Sequence, residues 1–291
     1  MPIPRLAKSP IRVTALAQLL KGYPKPRTAK LLISGFSFGF DLGFRGRILS
    51  RTSPNLPSAI QHPQIVSEKI QTELAEQRIF GPFKVSPFNE YITSPIGLVP
   101  KSSGKFRMIH HLSYPRNSSI QSVNSGILPT FSKVKYLNFQ QVLHKVAHFG
   151  PTSFAVKCDI SNAFRLLPVR PDQVPLLGFK WQQNFFFDGC APFGCSSSCS
   201  RFELFSSALH WIFEQIIESQ GLVGAIFHYL DDYLLLGKDK ETCSKMLTLF
   251  RQLCSHLGVP LNDSKTSPVP VQTILFLGLL IDILNQRCLT F

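Results

Sequence analysis

Ile226-Phe227-His228-Tyr229-Leu230-Asp231-Asp232-Tyr233-Leu234-Leu235-Leu236 places two adjacent carboxylates inside an apolar stretch. Two like charges roughly 4 Å apart repel by about 4 kcal/mol at an effective dielectric of about 20, and a divalent cation removes that penalty. The flanking residues predict two short strands, Ile226–Tyr229 and Tyr233–Leu236, with the acids at the turn between them. Since successive strand residues point to opposite faces, a turn is where one or both acids can face a common site. An ordinary Asp-rich hairpin turn is the alternative interpretation.

A second acid ends another apolar segment. Asp159 closes the predicted strand Phe154–Ile160. A two-metal phosphoryl-transfer site needs carboxylates from separate strands to hold two Mg²⁺ ions roughly 4 Å apart. Asp159 could instead cap a helical turn at Ser161–Arg165. The two acidic sites together favour metal chemistry more strongly than either does alone.

The other elements follow from hydrophobic periodicity and from turn residues. We expect a helix from Pro63 to Ile79 that ends at Gly81-Pro82, strands at Ile96–Val99 and Lys105–His110, a loop at 113–130, helices at Cys199–Glu218 and Glu241–Leu257, and a last strand at Ile274–Ile281. This mixture predicts an α+β fold in which helices back an antiparallel sheet.

The chain is strongly basic, with 31 Lys and Arg against 17 Asp and Glu and a net charge of +14. Residues 1–63 are rich in Pro, Gly, Ser and basic residues, and they predict a poorly packed, partly disordered arm. Such a charge favours a polyanionic partner, with nucleic acid ahead of an anionic membrane surface or a merely solvated tail. The phenylalanines at 36–44 could stack bases or could dock the arm onto the main body.

Composition also restricts the compartment and the kind of metal site. No segment has the 18 or more apolar residues that span a bilayer, and the apolar patch Val13–Leu20 only loosely imitates a targeting peptide. Seven cysteines without paired spacing favour a reducing, intracellular location over secretion. His110, His111 and His228 lack companion cysteines at zinc spacing, so we interpret them as hydrogen-bonded structural histidines.

Four segments resemble the motifs of reverse transcriptases, and they occur in that family's order. They are Asp159-Ile160-Ser161-Asn162-Ala163-Phe164, similar to the first palm motif; Ala191-Pro192-Phe193-Gly194-Cys195-Ser196-Ser197, similar to the turn before the long palm helix; Tyr229-Leu230-Asp231-Asp232, similar to the Tyr-x-Asp-Asp box; and Phe276-Leu277-Gly278, similar to the primer-grip hairpin. Residues 94–101, 104–115 and 228–232 further resemble the DIRS-type (tyrosine-recombinase) retrotransposons, relatives of the LTR-retrotransposon and retroviral enzymes. The resemblance implies an RNA-directed DNA polymerase with a right-hand fold of fingers and palm.

For the chemistry, the resemblance implies that Asp159 and Asp231 hold two Mg²⁺ ions, with Mn²⁺ as a possible substitute. The backbone carbonyl of Ile160 is then a further ligand. Asp232 is a secondary ligand, because strand alternation points its side chain away from that of Asp231 unless the geometry of the hairpin turn brings both to one site. The primer 3′-OH attacks the α-phosphate of a dNTP. Lys265 matches the lysine that protonates the leaving pyrophosphate, although an exposed turn lysine is the alternative.

The resemblance also implies binding roles. Arg107 and Lys101 match the finger cations that clasp the triphosphate, Phe164 matches an aromatic steric gate against the ribose 2′-OH, and Phe193 and Gly194 lie beneath the nucleotide. The family often has Gln at the position of Phe193, so stacking or packing must replace a hydrogen bond there. The expected contacts with primer and template are Tyr229, Leu230, Phe276, Leu277 and Gly278. Core packing of Phe164 and surface exposure of either cation are the alternatives.

We therefore expect fingers at 64–152 and a palm with interleaved finger segments at 153–291. The chain is expected to stop before a thumb and a ribonuclease H, and the ribonuclease H and recombinase modules of a longer element are possible partners. A catalytically inactive, nucleic-acid-binding remnant of a retroelement polymerase is the second hypothesis. A two-metal nuclease is the third, but it does not explain Phe164, Arg107 and the Tyr-x-Asp-Asp box together.

Overall fold

The computed structural model describes residues 5–101, 104–116 and 118–290. Its α-helices are α1 (Val13–Leu19), α2 (Pro26–Phe38), α3 (Pro57–Gln61), α4 (Pro63–Ala75), α5 (Phe139–Phe149), α6 (Ser198–Ser219) and α7 (Lys240–Leu257). Its strands are β1 (Ile79–Phe83), β2 (Ile96–Pro100), β3 (Phe106–His110), β4 (Phe154–Asp159), β5 (Gly178–Trp181), β6 (Asn184–Asp188), β7 (Gly224–Tyr229), β8 (Asp232–Gly237), β9 (Thr273–Phe276), β10 (Leu279–Asp282) and β11 (Arg287–Thr290). None of these helices is long and apolar enough to cross a membrane.

The chain divides into two compact units, each built from separate stretches of sequence. The first contains the segment up to Ser9 with Leu31–Lys133 and Phe164–Phe202, and the second contains Pro10–Lys30, Val134–Ala163 and the chain from Glu203 onward. The sequence-based boundaries at 63 and 152 differ from this division. Interleaving of this kind depends on long-range contacts, which composition does not reveal.

The second unit is organised around the antiparallel sheet β4-β8-β7. Strand register places Ala155 opposite Leu236 and Lys157 opposite Leu234, and both leucines pack with α5 and the β9–β10 hairpin in one apolar cluster. On the other face, Tyr233 is fully buried and its ring lies 5.2 Å from that of Phe250 in α7. Both faces of this sheet are thus covered, which explains why β8 reads as an unbroken run of leucines.

The first unit contains two smaller antiparallel sheets, the pair β2-β3 and the sheet β1-β6-β5. Apolar residues of α3, α4, β1, β2, β5 and β6 form one of its cores, which includes Val66, Ile70, Ile96, Phe179 and Phe186. The motif Ala191–Ser197, which contains Phe193 and Gly194, follows β6 closely in the chain.

Residues 5–63 differ from the predicted poorly packed arm. They contain α1, α2 and α3, and Leu16 and Leu32 are completely buried. Phe36 and Phe40 are also buried, and their rings meet edge to face at 5.0 Å. Packing is therefore favoured over base stacking for Phe36 and Phe40, whereas Phe38 is exposed. The sequence did not reveal these helices, because Gly, Pro and Arg are frequent in this segment and the apolar positions that become buried are widely spaced.

Two further expectations are wrong in detail. The predicted helix Pro63–Ile79 ends at Ala75, and Ile79 belongs to strand β1, which runs through Gly81-Pro82. The predicted last strand Ile274–Ile281 is the hairpin β9–β10, which turns at Leu277 and Gly278 with φ of 52° and 80°. Positive φ at both central residues is the signature of a type I′ turn, whose twist suits a two-residue hairpin.

Candidate active site

The turn between β7 and β8 presents the paired acids. Tyr229 pairs with Asp232 in the β7–β8 register, so Leu230 and Asp231 form the two-residue turn. Leu230 has φ 53°, a strained value for a branched side chain, and its carbonyl accepts a 2.7 Å hydrogen bond from Ser206 Oγ of α6. The Asp231 carbonyl accepts a 2.9 Å hydrogen bond from the Ile160 N–H. These two contacts fix the turn against the end of β4.

The register corrects the expectation that Asp232 turns away. Asp232 is the first residue of β8 and lies directly opposite Asp159 of β4, so the two side chains share a face of the sheet. Lys157, two residues before Asp159, is on the same face, and its Nζ lies 2.9 Å from Asp232 Oδ1. That buried oxygen accepts no hydrogen bond from any described residue, so Lys157 balances its negative charge by ion pairing alone.

Asp159 is held by the loop that follows α7. Its N–H donates to Thr266 Oγ1 at 3.3 Å, and its carbonyl accepts from the Asn262 N–H at 2.8 Å. Lys265 Nζ lies 3.0 Å from Asp159 Oδ2 and donates to it. This hydrogen bond, together with the charge of Asp159, raises the pKa of Lys265, whose side chain is 59% exposed. The lysine singled out by sequence therefore does reach the carboxylates.

Asp231 has a different electrostatic setting from the other two acids. Burial raises its pKa, and the charges of Asp232 and Asp159 raise it further. No ion pair involves Asp231 among the residues that the structure describes. A divalent cation would lower the pKa of Asp231 again, because it favours the ionised carboxylate.

The carboxylate oxygens are donors of the type that a hard divalent cation prefers. Three carboxylates gather at one end of the sheet, and one buried carboxylate oxygen has no hydrogen bond. Within the described ranges, no three His, Cys, Asp or Glu side chains already form a metal-binding group. Lys157 and Lys265 instead supply the positive charge next to Asp232 and Asp159.

The histidine behind the turn has a packing role, as its neighbours show. His228 Nε2 lies 2.8 Å from Glu203 Oε1, and its Nδ1 lies 2.7 Å from Nδ1 of His210. The His228 ring also stacks on Tyr233, with centroids 5.6 Å apart. These contacts join β7 to α6, as expected of a hydrogen-bonded structural histidine.

The residues predicted to bind nucleotide belong to the first unit. The guanidinium of Arg107 lies over the ring of Phe193, 4.5 Å from its centroid, and the Phe193 ring lies 5.0 Å from that of Phe164. Phe164 also meets Phe202 edge to face at 6.0 Å. The structure thus brings three of the five together, with the Arg107 guanidinium over the Phe193 ring and the Phe164 ring beside it. Lys101 is exposed at the end of the β2–β3 hairpin, where its N–H donates to the Lys105 carbonyl.

A buried ionic network supports the Phe193-Gly194 turn. Arg165 Nη2 lies 2.7 Å from Asp188 Oδ1 and 2.8 Å from Glu73 Oε2, and Nη1 donates to the Cys190 carbonyl at 3.1 Å. Asp188 also contacts His110 Nδ1 at 3.0 Å, and the His110 N–H donates to the Phe193 carbonyl. His110 is therefore structural, and the network fixes the backbone on both sides of the turn.

Gly194 fills a position that other residues cannot. Its φ is 115°, and a Cβ there would lie 2.0 Å from the His110 carbonyl oxygen. Both the backbone conformation and the close approach require glycine.

The residues predicted to contact primer and template divide into accessible and buried groups. Tyr229 is partly exposed, and its ring stacks on that of Tyr136 with centroids 4.7 Å apart. Phe276 is fully buried and faces Phe139, so its side chain does not reach the surface. In the turn of this hairpin Gly278 is exposed and Leu277 is half-buried, and Leu275 of β9 is exposed as well.

Sequence reasoning missed Lys157, Tyr136 and Arg165. Lys157 had a usable signal, because strand periodicity places residue 157 on the same face as residue 159. Arg165 follows Phe164 in an unremarkable run, and Tyr136 lies in a segment without periodicity. Their partners lie far away in sequence, so only the folded chain identifies them.

Comparison with known proteins agrees with this geometry. Residues 99–281 match the family described as reverse transcriptase (RNA-dependent DNA polymerase). Protein P of Duck hepatitis B virus (isolate brown Shanghai duck S5) is 30% identical over 127 residues, which are 44% of this chain and 16% of that protein. Protein P of Heron hepatitis B virus is 30% identical over 126 residues, 42% of this chain and 15% of that protein. The chain thus matches only about a sixth of the length of these curated relatives.

Solved structures resemble the fold. The foamy viral protease-reverse transcriptase dRH in complex with double-stranded DNA aligns with a TM-score of 0.58 at 15% identity, over 97% of this chain and 48% of that chain. The same enzyme in complex with an RNA/DNA hybrid aligns with a TM-score of 0.56 at 15% identity, over 97% of this chain and 37% of that chain. This similarity confirms the predicted α+β polymerase fold of fingers and palm. The match over residues 99–281 includes the acids of β4 and of the β7–β8 turn, and on this basis the chain belongs to the reverse transcriptase (RNA-dependent DNA polymerase) family.

Proposed function

We propose that the chain is the core of an RNA-directed DNA polymerase that adds dNTPs to a primer 3′-OH on a nucleic-acid template. The observation that supports this most directly is the meeting of Asp159, Asp231 and Asp232 at one end of the β4-β8-β7 sheet. Membership of the reverse transcriptase family makes nucleotidyl transfer the chemistry to test at these acids. We further propose a DIRS-type origin and an intracellular location, on the motifs and cysteines described above.

In this proposal, Asp159 and Asp231 hold two Mg²⁺ ions and Asp232 assists them. When bound, such ions would neutralise phosphate charge and lower the pKa of the attacking hydroxyl. Asp232 keeps its position through its charge pairing with Lys157. Ser206 fixes the turn that presents Asp231.

Lys265 is placed to act as a proton donor. Its ammonium group is charged at neutral pH, and the hydrogen bond to Asp159 raises its pKa further while the two groups are paired. Its largely exposed side chain is able to leave Asp159 and follow a departing anion. In the first unit, we propose that Arg107 binds phosphate oxygens, since its planar fork donates two parallel hydrogen bonds. Lys101 assists there as a point charge.

Primer extension tests the proposal. The reaction contains a labelled DNA primer on an RNA template, dNTPs and Mg²⁺, with the full chain and its Asp231→Asn variant. We expect extension by the wild type and a loss of at least about a hundredfold in the variant, because a catalytic metal contributes several kcal/mol to the rate. Asp172→Asn is the matched control, since Asp172 is exposed and, among the described residues, forms its ion pair with the surface residue Arg170.

The outcomes separate the two hypotheses. Equal activity in Asp231→Asn and Asp172→Asn would exclude the carboxylate site. Binding of primer–template without extension by the wild type would instead support the catalytically inactive remnant.

A further inference from the structure

Tyr136 lies beside the Tyr229-Leu230-Asp231-Asp232 turn, and the proposed function assigns it no role. Its ring is nearly parallel to that of Tyr229, with an interplanar angle of 21° and centroids 4.7 Å apart. Tyr229 lies opposite Asp232 in the strand register, so its side chain is on the face of the sheet that bears the carboxylates. Tyr136 therefore extends an aromatic surface from the site of the acids.

The segment that contains Tyr136 is anchored firmly. Leu137 and Phe139 pack into the apolar cluster between the sheet and α5. The Phe139 ring is nearly parallel to that of Phe276 at the end of β9, at 24° and 6.5 Å. Residues 136–139 thus connect the turn of the acids to the β9–β10 hairpin through two aromatic pairs.

Tyr136 differs from these neighbours in its solvent exposure. It is 43% exposed, whereas Phe276 is fully buried. A tyrosine whose only task is packing buries its ring, because burial of an aromatic side chain is the source of its stabilising effect. Lys135, next in the chain, is also exposed and basic. An exposed ring beside a cation has the chemistry of a surface for a nucleic-acid strand, in which the ring packs on a base or sugar and the cation attracts phosphate.

We propose that Tyr136 is a positioning residue for the primer strand, which packs against the ring pair Tyr136–Tyr229 next to the carboxylates. The inference rests on the proposed function, since it takes the strand nearest the acids to be the primer. The ring pair contacts base or sugar faces without hydrogen-bond readout, so the contact is independent of sequence.

The test compares Tyr136→Ala and Tyr136→Phe with the wild type in primer–template binding, measured by fluorescence anisotropy without dNTP. We expect Tyr136→Ala to weaken binding about tenfold, as for the loss of one base–aromatic contact, and Tyr136→Phe to bind as the wild type does. The dependence of affinity on salt should stay the same, because no charge is removed. Leu284→Ala is the control, since Leu284 is another exposed apolar side chain of the second unit (58%).

Photo-crosslinking identifies the strand. A primer or a template with 5-iododeoxyuridine at successive positions is irradiated with the wild type, and the crosslinked peptide is identified by mass spectrometry. We expect Tyr136 to crosslink to the last nucleotides of the primer. Wild-type affinity in Tyr136→Ala, or crosslinks to the template alone, would overturn the inference. These measurements need no catalysis, so a chain that binds but does not extend refutes the proposed activity and still tests Tyr136.

Discussion

Replacing Arg165 with Met should destabilise the first unit far more than replacing Arg170 with Met. Both arginines place Nη2 2.7 Å from an aspartate oxygen, Asp188 for Arg165 and Asp172 for Arg170. The side chains of the first pair are 7% and 5% exposed, and those of the second are 45% and 58% exposed. The distance to the aspartate is therefore matched, whereas burial differs and Arg165 has the further partners Glu73 and the Cys190 carbonyl.

The magnitude follows from the groups that lose a partner. Arg165→Met leaves Asp188 with His110 as its remaining hydrogen-bond partner, and the Cys190 carbonyl loses its donor. Glu73 keeps a bidentate contact with Arg78, at 2.9 and 3.1 Å. Removing one member of a buried pair costs about 3–5 kcal/mol, and the retained Arg78 contact places Arg165→Met at about 3 kcal/mol. The exposed Arg170 pair should contribute less than about 1 kcal/mol.

Urea denaturation followed by tryptophan fluorescence measures the difference. The two tryptophans lie in different units, so a Trp211→Phe background leaves Trp181 of β5 as the reporter of the first unit. A double variant Arg165→Met/Asp188→Leu should recover part of the loss, because apolar side chains can replace both charges of a buried pair. The reasoning is refuted if Arg165→Met and Arg170→Met reduce the free energy of unfolding equally.

Three further predictions concern pH, backbone and substrate choice. Burial raises the pKa of Asp41, but hydrogen bonds from Arg45, the Gly43 N–H and Gln173 outweigh it and lower the pKa to about 2. Asp41 thus stabilises the fold fully above pH of about 4 and loses this effect as the pH falls through about 2, so Asp41→Asn should cost about 1 kcal/mol at pH 7 after allowance for solvent screening, and progressively less as the pH falls through about 2, in urea titrations. Gly194→Ala should displace the His110 backbone and reduce dNTP affinity in filter binding by at least about tenfold, whereas Gly150→Ala, also at positive φ but with no described atom within 4 Å of the added Cβ, should leave dNTP affinity unchanged and cost about 1–3 kcal/mol of stability through backbone strain alone. Phe164→Val should increase ribonucleotide incorporation relative to dNTP incorporation, and unchanged discrimination would contradict the steric gate.

Local patterns were sufficient for the elements that bear the acids. The apolar runs on both sides of Asp231 predicted β7, β8 and their turn, and the 3.6-residue periodicity predicted α6 and α7 to within about two residues. Gly258, which follows the last residue of α7, ends the helix in the left-handed conformation that glycine adopts readily. The β5–β6 hairpin was missed because its turn consists of Gln182 and Gln183, which are not usual at positive φ.

The sequence by itself determined where the acids lie along the chain, because apolar runs and turn residues placed Asp159 at a strand end and Asp231 and Asp232 in a tight turn. Its motifs also indicated the reverse transcriptase family, which the family match confirms. Tertiary structure decided which side chains share a face. The β4–β8 register placed Asp232 opposite Asp159 and beside Lys157, which reverses the expectation from strand alternation. A register is a relation between two strands far apart in the chain, so no local pattern specifies it. The buried network of Arg165 and the stack of Tyr136 on Tyr229 depend on the same kind of distant contact.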